Sequence, residues 1–147
     1  MPMQDLPPNV PVAPVDGHEF VCHDGRPYAL VIHRSMRPDA TTFLTEDQHL
    51  LQAGFIVRKG GEPIARHYHL EAKRQVSETW EFLLVRQGST TVTLYGSECE
   101  PIAQRLLQKG DAILLMGGGH GFEVHEDLVL LEIKQGPFVG TLDKERF

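Results

Sequence analysis

Apolar residues in this chain fall in short runs, many alternating with polar ones, and Gly, Asp or Pro stands between one run and the next. The runs are "YALVIH", "LQAGFIVRK", "EPIARHYH", "TWEFLLVRQ", "TTVTLYG", "IAQRLLQ", "AILLM", "GFEVH" and "LVLLEIK". Nine such runs, roughly ten residues apart, predict an all-β domain, a sandwich or a barrel. No long stretch keeps a 3.6-residue apolar period, so long helices are not expected. One short helix is predicted over Thr45–Gln52, with Thr45 as its cap.

The first residues follow a different rule. Pro2, Pro7, Pro8, Pro11 and Pro14 deny this segment both ladder donors and helical geometry. They predict an extended N-terminal arm over residues 1–17, packed on the domain or reaching a partner subunit. Residues 18–147 then form a single domain. A chain of 147 residues, 41% of them hydrophobic, is long enough for a real core and should be globular and soluble. A net charge of -6 argues against nucleic acid or an anionic membrane as partner. The longest uninterrupted apolar run, Ala112 to Met116, is too short to span a bilayer. The N-terminus shows no basic segment followed by an apolar run, so a cytoplasmic location is expected. Cys22 and Cys99 lack metal-type spacing and are expected to be reduced thiols.

Chemistry enters through alternation. Side chains at i and i+2 of a strand share a face, so His67 and His69 point the same way, with Arg66, Tyr68 and Leu70 opposite. In "TWEFLLVRQG", Glu81 is in phase with Leu83 and Val85, on a row otherwise apolar. A carboxylate there is costly unless it is paired or ligates a metal. His120 likewise shares a row with Phe122 and Val124, while Glu123 and His125 fall on the other face. Three histidines and one carboxylate at inward strand positions suit a divalent transition metal. Other carboxylates, Glu71 and Glu78, lie in the loop between the two runs. His18, His23, His33 and His49 are scattered and read as surface or core histidines. "GGG", Gly117 to Gly119, lacks the Gly-Lys-Ser/Thr of a phosphate loop and predicts a tight turn with close backbone approach. Glu132 and Lys134 share the face of "LVLLEIK" opposite Val129, Leu131 and Ile133. They form either an outer solvated face or a polar pair at a pocket rim.

These spacings resemble the metal-binding cupins, of the small single-domain, RmlC-like kind. Gly61, five residues, His67-x-His69, then Glu81, six residues and Gly88 are similar to the first cupin motif. "KGDAILLMGGGH", with Gly110, Asp111 and His120, resembles the second. The likeness covers roughly residues 50 to 135. It implies a double-stranded β-helix, or jelly-roll barrel, with a metal held by His67, His69, Glu81 and His120. Eleven residues separate His69 from Glu81, where the compact motif has three or four, so "LEAKRQVSETW" is expected to be a longer hairpin loop at the metal end. The second motif is one residue short and lacks its usual proline, which leaves His125 as the alternative fourth ligand.

A site of this kind, holding iron, manganese, nickel or zinc, leaves coordination positions open for water, dioxygen or a chelating substrate. Two uses follow: oxidation of a small thiol, enol or diketone, or isomerisation or epimerisation of a carbonyl compound. The alternative is a barrel that binds a sugar or organic acid without transforming it. Tyr68, Tyr95, Arg58, Arg66 and Lys134 are candidates for further polar groups in the pocket, and Lys73 or Arg74 for a contact with an anionic or hydroxylated substrate at its mouth. Open strand edges and the Pro-rich arm predict a homodimer.

Overall fold

The computed structural model describes residues 17–147. The arm expected over 1–17 therefore lies, but for Gly17, outside the described residues. The described chain forms two compact units. One comprises the residues up to Met36 together with Thr79–Phe147, and the other is Arg37–Glu78.

The first unit is built of antiparallel strands. β1 (His18–His23) and β2 (Arg26–Ile32) open the chain. In the second unit β3 (Thr42–Phe43) pairs with β4 (Gly54–Phe55). The first unit then resumes with β5 (Glu81–Gln87), β6 (Ser89–Tyr95), β7 (Pro101–Gln108), β8 (Ala112–Leu115), β9 (Gly119–Val124) and β10 (Val129–Lys134). Its strands make a five-stranded sheet in the order β1-β2-β8-β5-β10 and a three-stranded sheet in the order β7-β6-β9. One 3-10 turn, Gly140–Leu142, follows β10. The all-β antiparallel class is as expected. No closed barrel forms among the described residues.

Period-two alternation builds the core of this unit. Val21, Ala29, Val31, Leu83, Val85, Ile113 and Leu115 come from the larger sheet, and Val92, Leu94, Ala103 and Leu107 from the smaller. Each Val, Leu or Ile among them, once removed from water, contributes roughly 1.5–3 kcal/mol. β7 shows how a charge enters this row. Arg105 lies in phase with Ala103 and Leu107 and is buried, and its Nε donates to Glu19 Oε2 on β1 at 2.9 Å. That pairing offsets the cost of burying the guanidinium and ties one sheet to the other. Buried Asp111 has a folding role as well. Its carboxylate accepts the backbone N–H groups of Arg34 and Gln108, both at 2.8 Å, and closes the turn from β7 to β8.

Several local expectations do not hold. The Thr45–Gln52 segment is a series of turns rather than a helix. Thr45 Oγ1 accepts the N–H of Ala53, and the Gln52 amide donates back to the carbonyls of Glu46 and His49, so side chains take over the backbone's hydrogen bonds. "LQAGFIVRK" yields only the two residues of β4. "EPIARHYH" is not a strand: residues 62–69 are exposed, and no described strand pairs with them. Without a ladder partner an alternating sequence has nothing to fix it in a sheet. Leu70–Trp80 is accordingly not a hairpin between strands. It divides, Leu70–Glu78 belonging to the second unit and Thr79 and Trp80 to the first. β1 was missed because "HEFVCH" carries histidines at both ends, and only Val21 of it is fully buried.

Candidate functional site

Glu81 opens β5 in phase with Leu83 and Val85, which are buried. The carboxylate is thus delivered to the inward row of the larger sheet, with its side chain 15% exposed. His120 stands on β9 of the smaller sheet, where its Cα partner is Leu94 on β6. The two side chains meet: His120 Nε2 lies 3.1 Å from Glu81 Oε2. In the tautomer protonated at Nε2, the imidazole donates to the carboxylate. That hydrogen bond, helped by the charges of Lys134 and Lys144, holds the Glu81 carboxyl below its usual range, against the opposing effect of burial.

Lys134 completes the group. β10 pairs with β5 so that Lys134 is the Cα partner of Glu81. Its Nζ is 3.7 Å from Glu81 Oε1, 3.2 Å from Glu132 Oε1 and 3.8 Å from Asp143 Oδ2. The Glu132–Lys134 row therefore joins the inward carboxylate, and Val129, Leu131 and Ile133 face outward and are exposed. Lys134 thus contacts the inward carboxylate, while the Glu132 side chain stays 42% exposed. Asp143 in turn accepts the Thr79 hydroxyl at 3.2 Å. Three carboxylates, Glu81, Glu132 and Asp143, therefore surround this ammonium.

A cavity of about 820 Å³ opens on this cluster. Glu81, His120, Thr79, Tyr95, Cys99 and the segment Asp143–Phe147 line it. The Tyr95 ring packs edge-on against Phe147, with centroids 5.2 Å apart. The glycine run shapes the floor. Gly118 has φ 66°, and a Cβ there would collide with the Tyr28 ring and the Tyr95 carbonyl. The tight turn with close backbone approach is thus present at Gly118. Sequence reasoning missed Thr79, Asp143 and Phe147. They belong to no motif and reach the cavity only through tertiary packing. Cys99 was read as an ordinary thiol; it is free, as is Cys22.

His67 and His69 sit in the second unit, in an exposed segment without strand structure. Their rings are 5.3 Å apart, centroid to centroid, so the i, i+2 relation still places them side by side. His67 Nδ1 is 2.8 Å from the Ala65 carbonyl oxygen, which leaves Nε2 as its free nitrogen when Nδ1 carries the proton. His125 contacts Thr91 Oγ1 at 2.7 Å, and it is His120 that reaches Glu81. Glu71, Glu78, Arg66 and Tyr68 are exposed, and Arg58 donates to Thr41 Oγ1 at 3.0 Å within the second unit. The structure thus assembles the four expected ligands as two pairs, one in each unit. Among the described residues no group of three or more His, Cys, Asp or Glu side chains is gathered to hold a metal ion.

Imidazole nitrogen and carboxylate oxygen are both donor types that zinc takes, at about 2.0–2.2 Å, and at tetrahedral angles two such donors stand about 3.3–3.5 Å apart. The 3.1 Å between Glu81 and His120 is the shorter distance of a direct hydrogen bond, with Oε2 facing the histidine while Oε1 faces Lys134.

No family model, curated protein or solved structure matches the chain. The likeness to cupins rests on Gly61, His67, His69, Glu81, Gly88 and the stretch from Gly110 to His120. No helix among the described residues is long and apolar enough to cross a membrane.

Proposed function

We propose that this chain is a metal-binding protein of the cupin type, a jelly-roll barrel that acts on a small polar molecule. Glu81 and His120 would ligate a divalent transition metal, and His67 and His69 are the further ligands that the resemblance implies. The observation that carries this is the 3.1 Å contact between Glu81 and His120. Alternation alone singled out both residues, they lie on different sheets, and they meet at the wall of a cavity. When bound, iron(II) supplies dioxygen chemistry, and zinc, manganese or nickel supplies Lewis acidity toward a carbonyl. The chain's own residues do the rest. The cavity falls within the size range of small-molecule sites and is lined by both charges and hydroxyls, which suits a polar ligand. Lys134 lies 3.7 Å from one oxygen of Glu81, and the other oxygen faces His120. Tyr95, on the same wall, can donate its phenolic proton to a ligand oxygen.

The test is elemental analysis of protein prepared with iron, manganese, nickel and zinc available, followed by a screen of small carbonyl and thiol compounds. Stoichiometric metal with turnover of a carbonyl or thiol supports an enzyme. Stoichiometric metal with saturable binding and no turnover identifies a ligand-binding protein. Absence of all four metals overturns the proposal.

A further inference from the structure

The sequence "DKERF", Asp143 to Phe147, supplies a whole wall of the cavity beside Glu81 and His120, and it belongs to the same unit as they do. Its charges are unequally engaged. Asp143 accepts the Thr79 hydroxyl and lies 3.8 Å from Lys134 Nζ. Lys144 and Arg146 have neither a hydrogen bond nor an ion pair among the described residues. Lys144 still acts on the cavity, since its charge is one of those that favour the ionised Glu81. Of the carboxylates in the wall, only Glu145 lacks a partner among the described residues. Two cations therefore stand ready at this wall against one carboxylate. The same wall ends in an aromatic pair. The Phe147 ring meets Tyr95 at an interplanar angle of 87°, yet Phe147 is 62% exposed, so much of its surface has no apolar cover. The Tyr95 hydroxyl makes no hydrogen bond among the described residues. Beside the rings the wall is glycine: a Cβ at Gly119 would come within 2.8 Å of the Phe147 ring, and one at Gly121 within 3.7 Å of the Tyr95 ring. Bare backbone there keeps space open along the rings.

We propose that this cavity takes a small aromatic carboxylate, its anionic end on Lys144 and Arg146 and its ring beside Tyr95 and Phe147. The inference rests on the reading above that the cavity holds a small polar molecule, and narrows it to one class; it needs no metal. Charge is the first reason. A guanidinium offers parallel N–H donors that match the two oxygens of a carboxylate, and an ammonium beside it adds attraction. A neutral sugar would leave both cations unmatched. The chain as a whole carries a net charge of -6, so its overall field does not draw anions, and an anion is held here only by local cations. The rings are the second reason. An inorganic anion would satisfy Lys144 and Arg146 but leave Phe147 uncovered, whereas a flat aromatic ligand also removes that ring surface from water. The two features lie on one wall, so one ligand can meet both.

Calorimetric titration of the full chain, freed of metal by a chelator, decides this. The probes are benzoate, phenylacetate, their neutral amides and inorganic phosphate. At least one of the two acids should bind saturably, with its amide weaker by about tenfold or more. Lys144→Met and Arg146→Met should each weaken the acid by about tenfold or more and leave the amide unchanged. Phe147→Ala should weaken acid and amide alike. Lys109→Met, on the exposed turn before β8, should bind as the parent does. Failure of both acids to bind overturns the proposal, as does an amide or phosphate that binds as tightly as the acid. Lys144→Met and Arg146→Met proteins that both bind the acid like the parent overturn it too, and an unaffected Phe147→Ala protein overturns the placing of the ring. If a variant does not fold, the comparison of acid with amide and phosphate on the parent decides alone. Elemental analysis tests the metal separately: a protein that takes up no metal but binds the acid refutes the metal site and supports this inference.

Discussion

Glu81 shows what a single side chain can disclose. Alternation put a carboxylate on an apolar row, and burial makes such a placement costly without a partner. The structure supplies two partners, His120 and Lys134. The first was legible because it too broke an apolar row. Lys134 was left between two roles, because its place depends on how β10 pairs with β5. The lowered pKa of Glu81 has a consequence in the metal-free protein. A carboxyl whose folded pKa is depressed contributes stability above its ordinary value of 4.5, and this is lost as pH falls through the folded value. Denaturant melts of metal-free parent and Glu81→Gln should therefore differ most near neutral pH. The difference should shrink as pH falls below about 4.5. A gap that stays constant or widens on acidification would contradict this. Lys134 is a cation beside the expected ion, and repulsion between the two weakens binding. Lys134→Met should tighten metal affinity by about tenfold, measured by calorimetry. Weaker binding in that variant would show that Lys134 supports the site and does not compete with it.

At the scale of elements, strands with buried partners were legible and those without were not. β2, β5, β6, β7, β8, β9 and β10 each coincide with an apolar run, because each packs in a sheet where one face is covered. "EPIARHYH" has the same alternation and forms no strand, since alternation describes a face and does not provide a neighbour. The short helix failed for a local reason: Thr45 and Gln52 side chains offered the backbone other hydrogen bonds. The glycine run was legible as a turn, and Gly118 carries the strictest demand in it. Its left-handed backbone and the proximity of the Tyr28 ring leave no room for a methyl group. Gly118→Ala should destabilise the protein by about 1 kcal/mol or more, read as a lower denaturation midpoint. Gly25→Ala is the control for backbone strain alone, because Gly25 also has positive φ but open space around its Cα. Equal losses in the two variants would mean that the Tyr28 contact has no cost.

At the scale of the whole molecule, the class of fold was legible in the spacing of the runs, and the division of Arg37–Glu78 from the rest was not. Composition and periodicity carry no sign of that division, since the second unit has the same alternating texture as the first. His67 with His69, and Glu81 with His120, are pairs each described within its own unit. If His67 and His120 are both ligands, as proposed, removing either should lower metal affinity. The most direct measurement is a metal titration of the parent beside His120→Ala and His67→Ala, with His125→Ala as control. One ion per chain in the parent is expected, with affinity lowered about 100-fold or more in the first two variants and unchanged in the third. A parent that binds no ion, or His120→Ala and His67→Ala proteins that bind it as the parent does, would contradict the account.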